Sequence, residues 1–164
     1  MRGILGFAVV AAVVVTAGAL AAETQISEEA VRSAIETFLQ NPTVPSESAR
    51  TIALFTEESD AVHVIVNLDV SCTYLREKYG HTGELMMAFV AGNIRSQLDS
   101  GIYGDDPYSG LLAVFRVYRH LKKANTDWTI PEVETLLDLH RQGKLAEHLA
   151  KEKERFAKER KQED

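Results

Sequence analysis

The chain has 164 residues, of which 45% are hydrophobic and 26% charged, with a net charge of −6. That length is the size of one domain and buries a core without staples, which removes any need for a disulfide framework or a structural metal. The acidic balance excludes a general nucleic-acid binder and a protein drawn to anionic membranes, and the single cysteine, Cys72, excludes an intramolecular disulfide.

The chain opens with Met1-Arg2-Gly3, and every residue from Ile4 to Val15 is apolar or glycine. Thr16-Ala17-Gly18 loosens the run, Ala19-Leu20-Ala21 is an A-x-A pattern, and polar sequence begins at Glu23. A basic n-region, an apolar h-region and small residues before a cut are the parts of a secretory signal. Residues 1–21 are therefore read as a signal peptide, and the protein as exported, periplasmic or secreted. Cleavage there makes the chain one unit more negative, because Arg2 is the only charge lost. The competing reading is an uncleaved membrane tether, since no charge lies between Arg2 and Glu23 and about 20 apolar residues cross a bilayer. Membrane contact is expected only in that case.

Ser27-Glu28-Glu29 caps a first helix, in which Val31, Ala34, Ile35, Phe38 and Leu39 recur at helical spacing. Asn41-Pro42 stops it after Gln40. Thr51 to Thr56 is a short apolar run, Glu57 to Asp60 a polar turn, and Ala61 to Asn67 is β-branched and alternating. The two runs predict a β-hairpin, although Ser46 to Phe55 also suits a helix. Thr73 to Lys78 predicts a helical turn ended by Gly80.

Thr82 is the expected cap of the next helix, with Leu85, Met86, Phe89, Val90, Ile94 and Leu98 inward, Gly92 a weak point and Gly101 the stop. Asp106-Pro107 opens another, carrying Leu111, Leu112, Val114, Phe115, Tyr118 and Leu121. Pro131 starts a shorter helix to about Arg141, with Val133, Leu136 and Leu137 inward. After Gly143 a last helix starts at Lys144, held by Leu145 and Leu149. From Lys151 six basic residues face five acidic ones, and only Phe156 is there to anchor the stretch. Glu147 with Lys151 and Glu154 with Lys158 are spaced for ion pairs, in a helix expected to fray. The fold expected is mainly α, about five helices with one small β-hairpin, in a single compact domain after the signal peptide. Residues 22–150 form the helix-rich globular domain and 151–164 a charged C-terminal helix or disordered tail.

The five histidines, His63, His81, His120, His140 and His148, form no HxH, HExxH or HxxxH pattern. Serine-nucleophile, phosphate-loop, dinucleotide and haem signatures are also lacking, so no catalytic residue, metal or cofactor is assigned. Cys72 reads as a buried small hydrophobe. The most distinctive loop is Gly101 to Tyr108, with two glycines, two acids and two tyrosines between strong helices. Such loops carry function on a rigid scaffold. Tyr103, Asp105, Asp106 and Tyr108 are the candidate contact residues there, and Asp99 adds a further oxygen ligand to a weak calcium pattern. Arg116 and Arg119, with His120 and Lys123, lie on the outward side of the following helix, a stripe suited to an anionic ligand or acidic partner. The function expected is a non-enzymatic protein-interaction or structural domain with a protein partner and no nucleic acid; its oligomeric state is left open. The alternative is a small-ligand protein or enzyme built around Gly101 to Tyr108, drawing in His81 and Cys72.

Overall fold

The computed structural model describes residues 25–68, 71–75 and 79–163; the expected signal segment lies outside them. Its elements are α1 (Glu28–Gln40), α2 (Glu47–Glu58), a 3-10 turn at Thr73–Leu75, α3 (Thr82–Ser100), α4 (Pro107–Ala124), α5 (Pro131–Arg141) and α6 (Leu145–Glu163). Local chemistry explains most boundaries. Ser27 Oγ accepts the Ala30 N–H at 3.2 Å to start α1, and the residues α1 buries are Val31, Ala34, Ile35, Phe38 and Leu39, the expected stripe. Pro107 and Pro131 stand at the first positions of α4 and α5, where a missing N–H costs nothing. The last turn of α3 ends on Gly101, which takes the left-handed conformation (φ 67°) and returns its N–H to the Gln97 carbonyl at 2.9 Å. The expected cap at Thr82 is displaced by one residue. His81 occupies the cap position at φ 54° without a side-chain cap bond.

The expected β-hairpin is corrected: no strand is present among the described residues. Its first arm, 51–56, lies inside α2. Ser46 Oγ accepts the Ala49 N–H at 3.2 Å, and Ala49, Ile52 and Phe55 fall on one buried face at spacings of three. A four-residue apolar run satisfies both periods, and the serine cap decides for the helix. The second arm thereby loses its partner. Residues 61–67 run alongside α3 instead, with Val62 buried, Val64 half-buried, and His63, Ile65 (51%) and Val66 (37%) exposed.

The helices enclose one core in a single compact domain, with Phe38, Phe89, Phe115 and Tyr118 among its largest buried side chains. The most extensive packing joins α3 to α4, while α2 lies on α1, and α6 lies on α5 and α4. Gly92 and Gly110 set the closeness of the α3–α4 crossing. A Cβ on Gly92 would sit 2.5 Å from the Ser109 carbonyl oxygen and 2.6 Å from the Ala113 Cβ. One on Gly110 would sit 2.8 Å from two Phe89 ring carbons. The expected weak point in α3 is therefore the place where the neighbouring helix's backbone comes nearest. Two expected core residues turn outward, Met86 (41% exposed) and Leu112 (37%).

The charged stretch from Lys151 continues as helix to Glu163. Glu147 and Lys151 pair at 2.5 Å as expected. Glu154 and Lys158 do not pair; Glu152 takes Arg155 three residues on. Among the described residues, no helix is long and apolar enough to cross a membrane.

Candidate functional site

Gly101 to Tyr108 links α3 to α4, and its acids point into a chain of side-chain bonds rooted in α3. Asn93 and Gln97 project one turn apart from the buried face of that helix, at 0% and 1% exposure. Gln97 Nε2 donates to Asn93 Oδ1 at 2.7 Å, and that same oxygen accepts the Asp106 N–H at 3.0 Å. Asn93 Nδ2 donates to Asp105 Oδ1 at 2.7 Å. The chain then reaches residues 61–67. The Gln97 carboxamide accepts the His63 N–H at 2.9 Å and donates to the His63 carbonyl at 2.7 Å, while Asp105 Oδ1 accepts the Ile65 N–H at 2.9 Å. A primary amide has the donor and acceptor geometry of a peptide group. Gln97 thus bonds His63 as a neighbouring strand would, which satisfies peptide groups that the lost hairpin would have paired.

Asp106 is occupied on both oxygens. Its Oδ1 accepts the Ser109 N–H at 3.1 Å as the cap of α4, and its Oδ2 accepts from Ser96 Oγ at 2.6 Å. Partial burial pushes its carboxyl up, but the bonds from Ser109 and Ser96 together outweigh this and leave it below its ordinary value of 3.8. Tyr108 reaches across to α5, where its hydroxyl lies 3.4 Å from His140 Nδ1. Asp105, Asp106 and Tyr108 therefore hold elements together. Tyr103 faces outward at 52% exposure, beside Ile102 at 75%.

His81 and Cys72 belong to different neighbourhoods. The His81 ring meets the Trp128 ring edge-on at 5.0 Å, and its Nδ1 lies 3.8 Å from Glu84. Trp128 in turn packs on the Tyr118 ring and donates its indole N–H to the Tyr79 carbonyl at 2.6 Å. The Cys72 thiol is fully buried, 3.6 Å from Ser71 Oγ and 3.9 Å from the Tyr74 hydroxyl, and burial pushes it above its ordinary value. Asp99 turns toward α1 and binds Arg32 and Arg95, away from the partners of Asp105 and Asp106. Among the described residues no three His, Cys, Asp or Glu side chains are grouped to hold a metal ion.

Arg116, Arg119, His120 and Lys123 all lie exposed on α4. Arg116 borders an open groove of about 550 Å³ along the α3–α4 crossing, together with Arg95, Ser96, Ser109 and the outward-turned Leu112. Asn93 and Gln97 are not among the candidates the sequence yields, yet they organise this end of the molecule. Their signal is two amides four residues apart on the apolar stripe that runs through Leu85 and Phe89. Comparison with protein-family models, with curated proteins and with solved structures finds no match for this chain.

Proposed function

We propose that this is an exported, non-enzymatic protein-interaction domain whose contact surface is the end of the molecule formed by residues 61–68 and the α3–α4 loop. The observation that carries the reading is the division of labour there. The polar groups of that end bond inward to Asn93, Ser96 and Gln97, and the apolar ones face solvent: Ile65 at 51%, Leu68 at 52%, Ile102 at 75% and Tyr103 at 52% exposure. The Asp105–Ile65 bond ties the loop to the segment. Single exposed hydrophobics are ordinary, whereas several on one end form the kind of patch that partners cover.

A photoreactive residue at Ile102, compared with one at exposed Glu58 on α2, tests this in cells. Discrete crosslinked protein at 102 and none at 58 is expected; equal yields at both, or none at 102, would overturn the contact surface. Export rests on residues 1–21. N-terminal sequencing of the fractionated protein should find a start at Ala22 outside the cytoplasm, and a start at Met1 in the membrane fraction would make it a tethered domain.

The α3–α4 groove favours a second reading, a small anionic ligand held by Arg116. Among the described residues Arg116 has no ion-pair partner, and it shares the groove with Ser109, while the Ser96 hydroxyl is already donated to Asp106. Titration with inorganic phosphate should shift resonances of groove residues in the native protein and not in Arg116→Ala; no shift in either removes this reading.

A further inference from the structure

α4 differs from the other α-helices in its charges. Each of the others carries both signs, whereas α4 carries Arg116, Arg119, Lys122 and Lys123 and no acid. Lys122 is paired with Glu134 of α5. Arg116, Arg119 and Lys123 are exposed, and among the described residues none of them has an ion-pair partner. They follow exposed Leu112 at spacings of four, three and four residues, which puts all four side chains on one outward stripe. The stripe begins in the α3–α4 groove, where Leu112 and Arg116 stand with Leu39 and Ala113, and continues toward the end of α4. Three uncompensated cations in line, in a chain of net charge −6, are complementary to an anionic partner.

We propose that this stripe docks an acidic helix of another protein, with carboxylates on Arg116, Arg119 and Lys123 and an apolar side chain against Leu112 in the groove. The proposal names the partner of the groove and rests on the reading that Arg116 holds an anion. The three cations are spread over about 10 Å of helix axis, farther than one phosphate reaches, so their partner carries several charges in a row. A helix laid along the stripe presents side chains at the same alternation of three and four residues, and Leu112 selects one with an apolar position beside its acids. A second copy does not supply that face: no described helix of this chain has three acids at successive spacings of three or four residues. A nucleic-acid backbone is opposed by the acidic balance of the whole chain.

The probe is a synthetic helix of about 18 residues in which a leucine and three glutamates repeat the four-three-four spacing, titrated by fluorescence anisotropy at low salt. Its control has the same composition with the glutamates distributed round the helix. The native protein should bind the striped peptide more tightly than the control. The triple variant Arg116→Gln, Arg119→Gln, Lys123→Gln should weaken that binding by about tenfold, the product of three exposed pairs, at an unchanged thermal midpoint. Arg141→Gln, which removes one cation from α5, should leave it within about twofold. Equal binding of both peptides, or no binding of either, would overturn the docking helix. A mass that doubles with concentration in the native protein and not in the triple variant would give the stripe to a second copy and overturn it too. Phosphate shifts at the groove that persist without peptide binding leave the small-anion reading standing; loss of both signals removes that reading as well.

Discussion

The α3–α4 crossing and residues 61–67 lie on the same helix and are held by opposite means. At the crossing, Gly92 and Gly110 bring backbone against backbone and ring, and the contact is close because side chains are missing. At residues 61–67 the backbone is held away from α3 by two side chains, Gln97 and Asp105, whose bonds stand in for a strand. The first arrangement tolerates no added atom. The second depends on a few polar atoms, and among the described residues the N–H groups of Val64 and Val66 bond to no protein group. The difference teaches where rigidity resides: the crossing is the scaffold, and the clamped segment is held by a few polar bonds.

Substitutions separate the two. Gly92→Ala carries the largest expected effect. Helix propensity favours alanine by about 1 kcal/mol, but a Cβ 2.5 Å from the Ser109 carbonyl must push the helices apart. A net loss of about 2–3 kcal/mol is expected, read as a lower urea midpoint at unchanged slope. Gln97→Ala should cost about 2 kcal/mol by stranding both groups of the His63 peptide, and its effect should be local. Amide exchange at His63 should quicken while the amides of α4 keep their protection. If α4 loosens equally, the segment and the crossing are one cooperative unit and the contrast fails.

Asp106 gives the contrast a pH dependence. Its folded carboxyl titrates below its ordinary value of 3.8, so the unfolded chain takes up the proton more readily. Its contribution is present above that value and lost as pH falls through the folded value. Thermal melts between pH 5 and pH 3 should show a shallower decline for Asp106→Asn than for the native protein. The smallest effect belongs to the surface: Arg32→Ala removes an exposed ion pair with Asp99 and should change stability by no more than about 0.5 kcal/mol.

The helices were largely legible because their signals are local. Caps at Ser27 and Asp106, prolines at Pro107 and Pro131, and the glycine stop at Gly101 each act within one turn. The inward stripes of α1 and α5 follow from periodicity alone. The hairpin expectation fails because Thr51 to Thr56 is too short to fix a period and lies in α2, which leaves the following segment no strand to pair with. At the candidate site the loop was visible, but its roles were not. Asp105 and Asp106 resemble ligands in sequence, and only their distant partners Ile65, Asn93 and Ser96 make them structural. Gly92 looked like a defect until α4 was placed beside it.

Residue-resolved amide exchange across residues 61–67 tests the central claim most directly. The account predicts alternation: slow exchange at His63 and Ile65, whose N–H groups are bonded to Gln97 and Asp105, and fast exchange at Val64 and Val66. Equal exchange at all four amides would contradict a segment clamped through alternate residues.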